Sequence, residues 1–281
     1  MLRIAVPNKG SLADPSAEML REAGYRQRSE QRELVLHDPE NQAEFFYLRP
    51  RDIAVYVGSG RLDLGITGRD LLLDSGAAAD EILPLGFARS TFRFATHPGT
   101  AKDVRDFDGR RIASAYPGLV AKHLADQGVD AEVTRLDGAV ETAVRLGVAD
   151  VIADVVETGA TLRHAGLEIV GEPILESEAV LIRHAGEPLT REVTQLVRRL
   201  QGVLVARRYV MMDYDIRAEA VEAGCLITPG IESPTISPLQ TPGWVAVRAM
   251  VPRTDTNRVM DELWDIGARG IIVTDIHACR L

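Results

Sequence analysis

The chain has 281 residues, 46% of them hydrophobic and 26% charged, which is ordinary globular usage and enough for two or three domains. A formal net charge of −9 argues against nonspecific nucleic-acid binding. No window approaches the roughly 18 uninterrupted apolar residues of a membrane span. Leu2–Val6 is only a strand-sized burst broken by Pro7, so neither a membrane partner nor a signal peptide is expected, and the expected location is cytoplasmic.

In chain order, Leu2–Val6 reads as a buried strand and Ala13–Ala23 as an amphipathic helix led by Asp14-Pro15 and closed by Gly24. Glu33–His37 and Glu44–Arg49 alternate as strands do, and Pro50-Arg51-Asp52 opens a helix that runs through Gly58. Leu62–Thr67 is a short strand and Arg69–Ser75 a helix, while Leu83–Ala88 and Thr91–Thr96 read as strands leading into a second lobe. There Phe107–Gly109 marks a turn, Arg111–Ala115 a strand, and Leu119–Gln127 a helix stopped by Gly128. Glu132–Leu136 is a strand, Val140–Leu146 a helix, and Val151–Ala153 a strand, with Leu162–Gly166 and Glu168–Val170 completing the set. Ala179–Ile182 reads as a returning strand, followed by a helix from Thr190 to about Arg207. Strands interleaved with helices in this way predict mainly parallel sheets in an α/β architecture.

From Tyr209 the pattern changes. Strands at Tyr209–Asp215, Thr235–Leu239, Val245–Val251 and Gly270–Thr274 alternate with helices at Arg217–Ala223 and Thr254–Gly267, the order βαββαβ of a ferredoxin-like module. That module carries no phosphate loop and no acid–base pair, which points to binding or assembly.

The most informative segment runs from Glu141 to Leu162. An apolar strand meets Asp154, three spacers, and then Thr158-Gly159-Ala160-Thr161 before a leucine-led helix. Such a loop offers backbone N–H groups and two hydroxyls to a phosphate, and the upstream carboxylate can hold hydroxyls of an attached sugar. Taken alone, the short piece also fits ordinary strand-to-helix grammar, an Asp ending a strand and a Thr capping the next helix. Two distant cysteines and six scattered histidines form no recognisable metal spacing, triad or disulfide framework. Of 32 basic residues only three are lysines, and Lys9, set between Asn8 and Gly10 at a strand end, stands where phosphate-loop lysines recur.

The full stretch from Glu141 through Gly147, Ala149, Ile152, Asp154 and Thr158-Gly159-Ala160-Thr161-Leu162 resembles the signature of the ATP phosphoribosyltransferases, the family that opens histidine biosynthesis. Further blocks are similar to the same family: Leu2-Arg-Ile-Ala-Val-Pro7-Asn8-Lys9-Gly10-Ser11-Leu12, Leu48-Arg49-Pro-Arg51-Asp52-Ile53, Leu62 to Asp70, Ile112 to Pro117, and the tail around Pro229-Gly230 and Ser233-Pro234-Thr235. Ser11 is a departure, occupying a position where many relatives carry arginine.

The resemblance implies a bilobal, periplasmic-binding-protein-like catalytic core with a C-terminal ferredoxin-like regulatory domain. Residues 1–90, completed by 179–208, would form catalytic lobe I. Residues 91–178 would form lobe II with the phosphoribosyl loop, and 209–281 the regulatory domain. The implied reaction joins the substrates ATP and 5-phosphoribosyl 1-pyrophosphate, with Mg2+ carried by the diphosphate rather than by dedicated protein ligands. Thr158, Gly159, Ala160 and Thr161 would hold the ribose 5-phosphate, Asp154 the ribose hydroxyls, and Glu141 would lie near sugar or magnesium. Lys9, Arg49, Asp70 and Tyr116 would serve the ATP side, with Lys9, Glu141 and Asp154 named as the catalytic set. Histidine would bind the tail as feedback inhibitor through Asp215, Ser233, Thr235 and the backbone at Gly270, in a homo-oligomer of dimers and hexamers. Without the resemblance other readings stand: Glu141 as a solvated helix-face carboxylate, Arg49 with Asp70 as a structural ion pair, Tyr116 as turn packing, and Asp215 as a helix cap.

A non-catalytic bilobal receptor is the first rival, but it needs no Asp-x-x-x-Thr-Gly-x-Thr loop. A nucleotide-salvage phosphoribosyltransferase would lack the N-terminal blocks and the tail. An inactive regulatory paralogue is suggested by Ser11 alone.

Overall fold

The computed structural model describes residues 1–30, 32–138, 140–156 and 159–280. They fall into two compact units, one of Met1–Arg21 with Tyr25–Val193, the other of Glu22–Gly24 with Thr194–Leu281.

The first unit opens with β1 (Leu2–Pro7), α1 (Ala13–Glu22), β2 (Val35–Asp38), β3 (Ala43–Leu48), α2 (Pro50–Gly58), β4 (Leu64–Gly68), α3 (Arg69–Ser75) and β5 (Ala79–Pro84). The chain then crosses to a second lobe, made of β6 (Ser90–Thr96), β7 (Arg111–Ser114), α4 (Pro117–Gln127), β8 (Glu132–Arg135), α5 (Thr142–Arg145), β9 (Val151–Val156), α6 (Ala160–His164) and β10 (Glu168–Ser177). It crosses back as β11 (Ala179–His184).

The first sheet has the order β2-β3-β1-β4-β11-β5 and the second β10-β6-β9-β7-β8. Among the described residues, parallel pairing is confined to β1 with β3 and β4, and to β7 with β8 and β9. The sheets are therefore mixed, not mainly parallel as the interleaved pattern predicts. The cause is the double crossing: β6 pairs antiparallel with β9, and β11 runs antiparallel between β4 and β5. The crossings are hydrogen-bonded to each other, Ala179 N–H to Phe87 O and Leu85 N–H to Ala179 O, both at 2.9 Å. Residues expected as a strand over Leu83–Ala88 serve as this connector, and the paired strand lies earlier, ending at Pro84. The expected helix over Val140–Leu146 is a single turn, Thr142–Arg145.

Helix α2 lies against the first sheet through Ile53, Ala54 and Val57, which share a buried cluster with Ala5, Val180 and Ile182. Gly65 permits that approach, because a Cβ there would stand 2.5 Å from Ile53 Cγ2. The second sheet carries a core on each face, one around Phe92, Phe94 and Phe107, the other around Ala113, Ile152 and Leu162.

Helix α7 (Arg191–Arg208) leads into β12 (Tyr209–Arg217), α8 (Val221–Ile227), β13 (Thr235–Pro238), β14 (Trp244–Pro252), α9 (Thr256–Asp265) and β15 (Arg269–Asp275). This is the βαββαβ order expected, in an antiparallel sheet ordered β13-β14-β12-β15. Alternation along β12 buries Met212, Tyr214 and Ile216 with Val259 and Leu263 of α9, leaving Asp213 and Asp215 on the other face. No helix among the described residues is long and apolar enough to cross a membrane.

Candidate active site

In open α/β sheets ligands bind beyond the carboxyl ends of the strands, where successive loops converge. Here a cavity of about 420 Å³ opens between the two lobes of the first unit, at such ends. After β1 come Lys9, Gly10 and Ser11; after β4, Asp70; after β7, Ala115 and Tyr116; from β9, Asp154 and Val155. A second cavity of about 290 Å³ shares Asp154 and Val155 and extends to Glu141, Gly159 and Thr161. The volumes suit small-molecule ligands. Another cavity, of about 360 Å³, lies among Leu62, Arg183, His184 and Leu189 and holds none of the residues singled out from sequence.

Among the described residues each expected residue has a definite place; Thr158 lies outside them. Lys9 is exposed on the loop into α1, and Ser11 lines the same wall with a hydroxyl. Asp70 is buried in the first turn of α3, where Oδ1 accepts from the Ser177 hydroxyl at 3.0 Å while its own N–H donates to Ser177 Oγ at 3.1 Å. A Cβ on Gly68 would stand 2.2 Å from that Oδ1, so glycine there lets the carboxylate fold back over the helix start. Arg49 is exposed at the N-cap of α2 and is not among the described residues lining the cavity. Arg51 takes that place. Its Nη1 donates to Asp74 Oδ2 at 2.9 Å, and its guanidinium lies 4.9 Å from the centroid of the Tyr116 ring.

Tyr116 both packs and faces the cavity. It is the N-cap residue of α4, edge-on to Phe92 at 5.2 Å between centroids, and its phenol is half-buried. Burial, with Asp70 next in effect, pushes that phenol well above its ordinary range against the opposing pull of Arg51. The hydroxyl therefore stays protonated and available as a donor.

Asp154 sits in β9, half-buried, with Oδ1 accepting from Val155 N–H at 2.7 Å. Burial raises its carboxyl above the usual range, and the negative charges of Glu141 and Asp70 add to that. The two cavities, which share Asp154 and Val155, thus set the carboxyl groups of Asp70, Asp154 and Glu141 near the cations of Lys9 and Arg51. Among the described residues no group of three or more His, Cys, Asp or Glu has a metal-holding arrangement.

Glu141 stands at the N-cap position of α5 and faces the smaller cavity. Gly159 is left-handed, with φ of 68°, and begins the five-residue α6. Thr161 is exposed and lines the same cavity; Ala160 is half-buried at the helix start, and Thr158 lies outside the described residues. Arg163, which sequence reasoning passed over, brings Nη1 to 3.2 Å from the place a Gly159 Cβ would take.

In the second unit, Asp215 lies within β12, and the turn that follows takes Arg217 as its N-cap, so Asp215 is not a helix cap. Gly270, left-handed at φ of 60°, adjoins it: a Cβ there would be 3.5 Å from Asp215 Oδ2. Ser233 and Thr235 are exposed on the approach to β13, two strands from β12 across β14, or about 10 Å at normal strand spacing. The sheet brings Asp215 and Gly270 together and keeps Ser233 and Thr235 apart from them.

Residues 49–202 match the protein-family model for ATP phosphoribosyltransferase, and residues 206–278 match that for the HisG C-terminal domain. An ATP phosphoribosyltransferase of Streptomyces avermitilis is 68% identical over 285 residues, covering all of both chains, and one of Streptomyces coelicolor is 66% identical with the same coverage. A solved chain of the ATP phosphoribosyl transferase (HisG:HisZ) complex from Thermotoga maritima superposes with a TM-score of 0.62 at 25% identity, over 73% of this chain and 98% of that one.

Proposed function

Because this chain belongs to the ATP phosphoribosyltransferase family, we propose that it transfers the phosphoribosyl group of 5-phosphoribosyl 1-pyrophosphate to the adenine ring of ATP. A ring nitrogen forms a bond to the anomeric carbon, the carbon–oxygen bond breaks, and the electron pair leaves with pyrophosphate, giving phosphoribosyl-ATP. The observation that carries this reading is the place of Asp154, which lines both cavities near the end of the strand leading to Gly159 and Thr161.

In this reading the smaller cavity takes the sugar phosphate. Backbone N–H groups at Gly159 and Ala160 and the hydroxyls of Thr158 and Thr161 hold the 5-phosphate, while Asp154 aligns the ribose hydroxyls, with Glu141 beside them. The larger cavity takes ATP between Lys9, Arg51, Asp70 and Tyr116, and Arg49 serves at the outer edge where the triphosphate emerges. Magnesium arrives on the diphosphate and offsets its charge as the leaving group departs. The ring nitrogen already has a lone pair, so alignment rather than proton removal is the main task.

The carbon–nitrogen bond changes the absorbance of adenine, which gives a direct assay with ATP, magnesium and phosphoribosyl pyrophosphate. Asp154→Ala and Thr161→Ala are expected to lower turnover by about a hundredfold or more with the far-ultraviolet circular dichroism unchanged. Normal rates in both variants would overturn the site assignment.

The two-lobed unit would carry the chemistry and the βαββαβ unit its control. Histidine would bind at Asp215 and Gly270, which adjoin, without the more distant Ser233 and Thr235, and inhibit through a change of assembly between dimers and hexamers. The need for ATP as substrate favours a cytoplasmic setting.

A further inference from the structure

One carboxylate that the reaction scheme leaves unused joins the two lobes beside the larger cavity. Asp74 belongs to α3 of the first lobe, yet its Oδ1 accepts from Gly118 N–H at 2.9 Å and Leu119 N–H at 3.2 Å, in the first turn of α4 of the second lobe. Helix α4 has no side-chain cap of its own, because its N-cap residue is Tyr116. Asp74 supplies that cap from another element, where a negative charge also suits the helix dipole. Its other oxygen, Oδ2, takes Arg51 Nη1 at 2.9 Å, and its side chain is only 9% exposed. The approach is close enough to require glycine: a Cβ on Gly118 would stand 2.4 Å from Asp74 O.

We infer that Asp74 is a positioning residue that ties Arg51 of one lobe to the start of α4 and Tyr116 of the other, and so sets the nucleotide-facing wall of the cleft. Three hydrogen bonds, at least one of them between full charges, meet on one nearly buried carboxylate. Separating the lobes at this point strands Asp74 and two helix N–H groups together, which is costly where water has little access. Arg51 and Tyr116 both line the larger cavity, so their relative placement depends on this joint. The functional consequence rests on the reading of that cavity as the ATP site; the joint itself does not.

The test uses the full chain. Asp74→Ala should raise the KM for ATP about tenfold and leave the KM for phosphoribosyl pyrophosphate within about twofold, the loss expected for charged hydrogen bonds at one substrate only. Hydrogen–deuterium exchange should quicken in the fragment holding amides 118 and 119. Asp74→Asn keeps an acceptor for those amides but loses the charge that holds Arg51, so its exchange should stay near that of the parent while the KM for ATP still rises, by about threefold. It also serves as the test if the alanine variant does not fold. Unchanged exchange in Asp74→Ala overturns the joint. Faster exchange with both KM values unchanged, or with both raised alike, overturns the positioning role. A parent protein that binds no ATP in calorimetry defeats the cavity reading instead and leaves the exchange result standing.

Discussion

If Asp154 serves the chemistry as proposed, it does so at a cost in local stability. Its folded carboxyl has a raised pKa, chiefly from burial and further from Glu141 and Asp70. The folded state therefore retains the proton at pH values where the unfolded chain has lost it. The favourable contribution is complete below the unfolded value and disappears as pH rises through the folded value, above which the carboxylate is a poorly solvated charge. Asp154→Asn should then raise the melting temperature at pH 7 by about 2 °C, consistent with about 1 kcal/mol in a chain of this size. That advantage should shrink as the pH is lowered, while turnover falls by about a hundredfold. Calorimetry across pH, paired with the absorbance assay, decides the matter; a variant less stable than the parent at neutral pH would contradict it. All four of Lys9, Asp70, Tyr116 and Asp154 line one cavity; the strand-end chemistry of the sequence points to Lys9 and Asp154, whereas Asp70 and Tyr116 enter only through the family resemblance. Arg51 and Asp74 were not legible in the sequence, since their roles arise from partners 23 and 44 residues apart. A signal existed nonetheless: an arginine in the first turn of a helix opposes the dipole and calls for an anionic partner.

At the scale of elements, the close packing of α2 on the first sheet rests on an absence. At Gly65 an added methyl would meet Ile53 Cγ2 at 2.5 Å and Val57 Cγ2 at 3.0 Å, both on α2 and both in a filled core. Neither atom ends a long flexible chain, so the helix itself must shift. Gly65→Ala should destabilise the first unit by about 2 kcal/mol, read as a lower denaturant midpoint at an unchanged slope. A midpoint equal to that of the parent would mean that α2 yields freely. Such helices were easy to read: α2 begins at Pro50 and α4 ends at Gly128, both as local chemistry dictates. The strand directions were not. Whether β6 and β11 run parallel or antiparallel is decided by the double crossing of the chain, and nothing in their own alternation records it. For the same reason the pattern predicts β5 too late, because the apolar connector after Pro84 resembles a strand in isolation.

For the molecule as a whole, a net charge of −9 means that on the proposed reading two polyanionic substrates are drawn in by local cations, backbone donors and the magnesium they carry, not by a globally basic surface. Occupancy of the cleft is then open to control from elsewhere in the chain, and the βαββαβ unit is where that control is proposed to act. On this reading Asp215, beside the left-handed Gly270, holds the ammonium group of histidine. Asp215→Ala should abolish inhibition by histidine and leave kcat without histidine within about twofold of the parent, because the residue touches no reacting atom. Linkage supplies a second demand. If histidine weakens ATP binding by some factor, ATP must weaken histidine binding by the same factor, whatever conformation or assembly carries the message. Titrating histidine into the parent protein with and without saturating ATP measures one side, and titrating ATP with and without histidine measures the other. Sedimentation in the same samples reports whether assembly changes with them. Unequal factors at equilibrium would show that the two ligands are not reporting one coupled system, and inhibition that persists in Asp215→Ala would move the effector site away from β12.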